Sequence, residues 1–305
     1  MSATTTKANL AQSWGIITAS YWRSTAIFAP TPRRSAPIRR APSVPIRQCL
    51  ETGILTPDRT HFDYGCGYGF DVDYLQEQGI RSTGYDPYHR PQRKQSADVV
   101  TLLFVLNVIR DPIEREAVLV EAYHLAQEQL VVAISWGEPH SHWRVDGDGY
   151  RTQWNTFCKF YDAAEIQTFL CAILGLFPTP LLGATGAYLF AKDDRVDTLQ
   201  PHALTRTQRR QLLKRYQDER THLLASGWVP SEQVRWDSIL AKGYRYPRLR
   251  SPLPDIPNPS TGKLNKSLHA GAVGSPRRQW IEAALARRDQ MRIIAARIEY
   301  LSAIQ

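Results

Sequence analysis

Asp63 closes a short apolar run and is followed by three glycines at alternate positions, Gly65, Gly67 and Gly69. Glycines at that spacing let the backbone turn tightly and approach a ligand with no Cβ in the way. The segment Phe70 to Gln78 that follows has helical periodicity. The first N–H groups of such a helix are expected to point at the same place. A nucleotide-like cofactor is therefore expected over this turn. A dinucleotide site needs G-x-G-x-x-G and a P-loop needs G-x-x-x-x-G-K-S/T. The chain reads Asp63-x-Gly65-x-Gly67-x-Gly69, with no Lys-Ser/Thr after it. An acid ahead of G-x-G-x-G suits S-adenosylmethionine, which has no phosphate here to cradle and whose ammonium and sulfonium charges favour a nearby carboxylate. Asp86 lies 21 residues beyond Gly65, where an acid ending the second strand takes both ribose hydroxyls. Leu103 to Val105 are expected to flank the adenine. The predicted cofactor set is Asp63, Gly65, Cys66, Gly67, Gly69, Asp86, Pro87, Phe104 and Val105.

No residue declares itself catalytic. The stretch Trp136 to Tyr161 carries His140, His142, Asp146, Asp148, Lys159 and Tyr161, interleaved with Trp136, Trp143 and Trp154. It reads either as a lid that holds a base or sugar between aromatic faces, or as a loop whose aromatics pack on the sheet edge. Asn107, Asp148, Lys159 and Tyr161 are the acceptor-side candidates, Asn107 by position alone. His140-x-His142 has no third ligand at metal spacing, so no metal is expected.

These residues need a frame. Strands are expected over Thr60–Tyr64, Arg81–Tyr85, Asp98–Phe104, Leu130–Ser135 and Ala187–Ala191, with Leu181-Leu182 as a candidate hairpin partner for the last. Helices are expected over Phe70–Gln78, Pro112–Glu128 and Ala163–Leu174. Alternation of this kind implies an α/β fold, a doubly wound Rossmann-like parallel sheet that binds ligands beyond the carboxyl ends of its strands. Ahead of it, Pro30, Pro32, Pro37, Pro42 and Pro45 with paired arginines imply an extended arm, then a helix from Pro45 to Thr52 capped by Ser43. Beyond it, helices are expected over Thr205–Ala225, from Ser231 to Lys242, and from Pro276 to the end. The last has Trp280, Ala284, Met291, Ile294, Ile298 and Leu301 on one face, and Arg277, Arg278, Arg287, Arg288, Arg292 and Arg297 on the other. The division is an arm over 1–50, a cofactor domain over 51–195 and a basic helical region over 196–305.

The formal charge of +9 resolves into +7 for residues 1–50, −9 for 51–200 and +11 for 201–305. Two basic segments flank an acidic domain. They point to a polyanion, with DNA as the natural partner, or to arms that pack on the acidic core. The basic final helix reads as a contact for nucleic acid, a membrane surface or a partner helix, or as a docked helix with a solvated face. No apolar run is long enough to span a membrane. The N-terminal Ser/Thr/Ala/Arg composition also resembles an organellar transit peptide. The four cysteines, Cys49, Cys66, Cys158 and Cys171, include no C-x-x-C pair and fit reduced thiols, hence a cytoplasmic protein.

The run Phe62 to Asp71 resembles motif I of class I methyltransferases. More narrowly, the chain resembles the methyltransferases associated with DNA phosphorothioation. The likeness rests on Asp63-Tyr64-Gly65-Cys66-Gly67, Gly84-Tyr85-Asp86-Pro87, Ala97–Val100 and Val105–Ile109. It also takes in Arg23, Thr25-Ala26-Ile27, Ser43-x-Pro45, Asp148-Gly149, Thr152 and Thr156-Phe157-x-Lys159-Phe160-Tyr161. It covers about residues 20–192 and is interrupted by the Pro/Arg stretch. The resemblance implies S-adenosylmethionine-dependent methyl transfer to DNA or within a DNA-modification pathway, with other DNA-modification proteins as partners. A module that binds nucleic acid without catalysis, and a small-molecule methyltransferase, are the alternatives. The chain lacks the Asn/Asp-Pro-Pro-aromatic loop of amino-methylating DNA enzymes and the Pro-Cys of cytosine-C5 enzymes. Cys66 therefore reads as a small residue in the turn, and methyl transfer as mainly a matter of in-line positioning.

Overall fold

The computed structural model describes residues 35–225 and 276–304. Arg23 to Ile27 and the helix expected over 231–242 lie outside the described residues. Four strands, β1 (Thr60–Tyr64), β2 (Arg81–Tyr85), β3 (Ala97–Leu103) and β4 (Ala126–Ala133), run parallel at the centre. Two further strands, β8 (Thr179–Pro180) and β9 (Ala187–Ala191), complete a sheet ordered β2-β1-β3-β4-β9-β8. The expected α/β architecture is present, but the sheet is mixed, because β9 runs antiparallel to β4 and β8 antiparallel to β9. Only residues 181–186 join β8 to β9, and a parallel return needs a crossover about twice that long or more.

Alternation along β3 shows how the sheet is covered on both faces. Val100 and Leu102 enter one core with Leu119 and Tyr123 of α3 (Pro112–Leu125) and Ile166 and Leu170 of α4 (Ala163–Leu174). Val99 and Leu103 enter the other, with Ile46 of α1 (Val44–Glu51) and Leu75 of α2 (Phe70–Glu77). Side chains of period two thus feed two helical layers, as a buried parallel strand requires. Removing one such side chain, as in Leu102→Ala, costs about 2–5 kcal/mol.

Several bounds differ from expectation for local reasons. α3 stops at Leu125 and β4 starts at the next residue, because Ala126 already pairs with Ala97. β3 ends before Phe104, whose φ of 63° leaves the extended region. Ser43 stands at the N-cap of α1 without a side-chain cap; its own N–H donates to Asp71 Oδ1 at 2.8 Å. The hairpin partner of β9 is Thr179-Pro180, not Leu181-Leu182. The stretch read as either a lid or a loop on the sheet edge contains a separate three-stranded antiparallel sheet of β5 (Arg144–Asp146), β6 (Gly149–Arg151) and β7 (Phe157–Cys158).

The C-terminal helices dock on the sheet domain. Leu213, Tyr216 and Leu223 of α5 (Arg206–Ala225) meet Met291, Ile294 and Leu301 of α6 (Pro276–Ala303). Small residues Cys171, Ala172 and Ala296 let α6 approach α4 closely. Glu116, fully buried on α3, accepts from the His202 N–H and the Tyr300 hydroxyl, both at 3.0 Å, and lies 2.7 Å from His202 Nδ1. The expected solvated arginine face of α6 is corrected at three positions, since Arg288, Arg292 and Arg297 are buried. Arg297 donates to the Ala172 carbonyl at 3.2 Å, the Tyr216 hydroxyl at 2.7 Å and the Asp197 carbonyl. Arg292 stacks 3.1 Å over the Phe177 ring. Guanidinium groups here answer the unpaired carbonyls and negative dipole at the end of α4. The side chains of Arg277, Arg278, Trp280, Ala284 and Arg287 lie outside those described.

Candidate active site

The turn after β1 is built only of conformations and clearances that glycine permits. Gly65 has φ of 84°, and a Cβ there would collide with Val105 Cγ2; at Gly69, also at 84°, it would collide with the Arg90 guanidinium. That guanidinium crosses the turn to pair with Asp73, at 2.9 Å and 2.5 Å, while its Nε–H donates to the Tyr68 carbonyl at 3.0 Å. The Tyr68 and His89 rings pack at 4.1 Å beside it. Three amides of the turn are bonded within the protein. The N–H groups of Gly65 and Cys66 both donate to the Tyr85 carbonyl, at 2.7 and 3.0 Å, and Gly69 N–H donates to the Cys66 carbonyl at 2.9 Å. Amides spent in this way do not cradle a phosphate.

Carboxylates are what the site presents. Asp63, buried at the end of β1, is pushed up to about 7, first by burial and then by Asp71, with Asp86 adding to the effect. The Thr101 hydroxyl and Arg39 oppose that shift. Asp71 comes from the first turn of α2, where a negative charge suits the helix dipole. Asp86 leaves the end of β2, and its Oδ1 is held by the N–H groups of Tyr88 and His89 at 2.9 Å each. Acids from two further elements, Asp71 and Asp86, thus act on Asp63 beside the glycine turn. Burial first, then Asp63 and Asp86, push the Cys66 thiol up to about 12, so it stays a thiol.

Part of the N-terminal arm belongs to this site, which nothing in its composition signalled. Ala36 lies where a Cβ on Gly67 would reach it at 3.0 Å, and Arg39 sits 5.4 Å over the Phe104 ring. Phe104 is held in the left-handed region, an unusual state for a large side chain that favours a positional reason. Phe104 and Val105 are half-buried beside the turn, and Pro87 is exposed at the rim.

The four acceptor-side candidates divide in two. Asn107 is buried, and its amide braces three loops. Oδ1 accepts from Ser135 N–H at 2.8 Å, and Nδ2 donates to the Ser135 and Lys159 carbonyls at 3.3 and 2.6 Å. Asp148, Lys159 and Tyr161 come together around Arg115 of α3. Asp148 takes a bidentate bond from Arg115 at 2.7 Å on each oxygen, and burial is outweighed by that partner, so its carboxyl is lowered. Lys159 pairs with Glu165 at 2.7 Å and Asp148 at 3.3 Å. The Tyr161 hydroxyl accepts from Arg115 at 3.3 Å, and burial pushes it up to about 12. This cluster pins the small sheet to α3 and α4. Sequence reasoning missed Arg115, Glu165 and Arg39. His140 and His142 stack on each other at 5.6 Å, and no three metal-binding side chains gather among the described residues.

Residues 28–172 match the family described as a methyltransferase domain. No curated protein matches the chain in sequence. Among solved structures, magnesium protoporphyrin IX methyltransferase from Synechocystis PCC 6803 with bound SAM is similar at 16% identity, over 48% of this chain and 76% of that one, with a TM-score of 0.31. The sugar N-methyltransferase KedS8 from Streptoalloteichus sp ATCC 53650 is similar at 13% identity, over 58% and 93%, with a TM-score of 0.37. The 1,6-didemethyltoxoflavin-N1-methyltransferase of Burkholderia thailandensis is similar at 15% identity, over 60% and 84%, at 0.33.

Proposed function

We propose that the chain is an S-adenosylmethionine-dependent methyltransferase whose acceptor is DNA or a component of a phosphorothioation-linked DNA-modification pathway. The observation that carries the cofactor is the convergence of Asp63, Asp71 and Asp86 on a glycine turn whose first amides are already spent. A site of three carboxylates repels phosphates and attracts cations. The residues therefore fit this cofactor and fit a dinucleotide poorly. When bound, the cofactor supplies an electrophilic methyl group on sulfur.

Asp63 and Asp71 would hold the amino-acid ammonium, Asp86 the ribose hydroxyls, and Phe104 and Val105 the adenine faces. Arg39 is the cation available to the amino-acid carboxylate. On the acceptor side, Arg115 with Asp148, and Asn107 with Ser135, tie loops together and would orient the acceptor. Positioning of this kind is the main demand of an in-line transfer.

The acceptor reading is supported by the motif likeness carried by Gly84 to Pro87 and Asp148 to Tyr161, and by the +7 balance of residues 1–50. A DNA partner met through the arms and a cytoplasmic location are parts of the same proposal. Methyl transfer from a tritiated donor to separated DNA, RNA, protein and metabolite fractions tests it, with Asp63→Asn as control. Label in the DNA fraction is expected; label confined to metabolites would move the acceptor to small molecules.

A further inference from the structure

His61 stands on β1 between two neighbouring strands and is 1% exposed. Both ring nitrogens have partners: Nδ1 lies 2.8 Å from Ser82 Oγ on β2, and Nε2 lies 3.0 Å from Thr101 Oγ1 on β3. Thr101 is fully buried, and its hydroxyl lies 2.8 Å from Asp63 Oδ1. These contacts fix a direction. A hydroxyl has one proton to donate, and an ionised carboxylate only accepts, so the Thr101 proton goes to Asp63. The Thr101 oxygen must then accept from His61, which places the ring hydrogen on Nε2. In a neutral imidazole Nδ1 is then the acceptor, and the Ser82 hydroxyl donates to it.

Burial pushes His61 down to about 3, so the ring is neutral wherever Asp63 titrates. An apolar trio would fill the same space, and buried polar networks add little net stability over such a replacement. The chain of bonds runs across three strands and ends on the acid at the glycine turn. We propose that His61 and Thr101 are positioning residues that aim the Asp63 carboxylate and hold it ionised for a cationic cofactor, a role that rests on the cofactor reading above. Asp71 of α2 and Asp86 after β2 oppose ionisation, Arg39 of the arm assists it, and the neutral Cys66 thiol faces the same acid. The Thr101 hydroxyl is the uncharged donor among these influences, and His61 orients it.

The unliganded protein tests this by NMR. At alkaline pH the His61 nitrogens are expected to show hydrogen on Nε2 and a bare Nδ1; the opposite tautomer would overturn the relay without any variant. The Asp63 carboxyl, assigned through Asp63→Asn, is expected to titrate about one unit higher in Thr101→Val, to stay in place in Thr101→Ser, and to rise by less in His61→Phe. Calorimetry with S-adenosylmethionine should then show Thr101→Val binding about tenfold more weakly near neutrality and converging on the wild type at alkaline pH. An unchanged Asp63 midpoint, or equal loss of affinity at every pH, would reject the proposal. A wild-type protein that binds no S-adenosylmethionine at any pH would defeat the cofactor reading, while the carboxyl titration would still decide the relay.

Discussion

Asp63 shows what a binding site costs a fold. Its midpoint near 7 lies well above that of an exposed carboxyl, chiefly through burial. A group raised in this way contributes stability below its unfolded pKa and loses it as pH rises through about 7. Glu114, also raised to about 7 by burial and Asp111, adds to the same trend. Asp63→Asn is therefore expected to stabilise the unliganded protein at alkaline pH by on the order of 2 kcal/mol in urea unfolding. The same change should remove the pH dependence of S-adenosylmethionine binding, which in the wild type should strengthen as pH climbs through about 7. Glu114→Gln, away from the turn, should change stability without flattening the binding curve. The glycines make the complementary case. Gly65→Ala forces an L side chain into φ of 84° and into Val105, and should cost about 1–3 kcal/mol. Adding Val105→Ala relieves the collision but not the backbone, so thermal unfolding of the double variant should recover only part of the loss.

Arg115 and Asp148 connect residue chemistry to the movement of a whole element. The Arg115 side chain is 4% exposed and the Asp148 side chain 41%, so Asp148→Ala leaves a buried guanidinium without its bidentate partner. The expected loss is about 2–3 kcal/mol. Hydrogen exchange should quicken in β5 to β7, and methyl transfer should slow while cofactor affinity holds if this pin serves the acceptor side, as proposed. These partners also mark the limit of legibility. β1, β2 and α4 could be read to the residue, since Gly65, Gly79 and Gly175 punctuate their ends. The join of α3 to β4 could not be read, because no glycine or proline separates Leu125 from Ala126 and Gln127 to Gln129 are polar on a sheet margin. Asp63 and the glycine turn stood out as a candidate site because Asp86 and the strand–helix order accompany their spacing. His61 did not, since a histidine in an apolar run has no local signature; its meaning depends on Ser82 and Thr101, which only the strand register brings to its sides.

At the scale of the molecule, net charge overstates the surface that a polyanion can meet. Arg288, Arg292 and Arg297 belong to the +11 balance of residues 201–305, yet all three are buried. Their loss should therefore act on folding. Arg297→Met removes donors to the Ala172 and Asp197 carbonyls and the Tyr216 hydroxyl, and should lower stability by about 2 kcal/mol or more. Arg40, by contrast, is exposed, and it shares the arm with Arg33 and Arg34. If DNA is met through that arm, each phosphate contact contributes about 0.9 to the slope of log affinity against log salt. Replacing Arg33, Arg34 and Arg40 with alanine should then flatten the slope by about 1–3 and leave the unfolding midpoint unchanged. Arg297→Met should do the reverse. A slope that ignored the arm and followed α6 would transfer the nucleic-acid surface to the C-terminal helices, and a duplex that bound with no salt dependence would remove phosphate contacts from the account altogether.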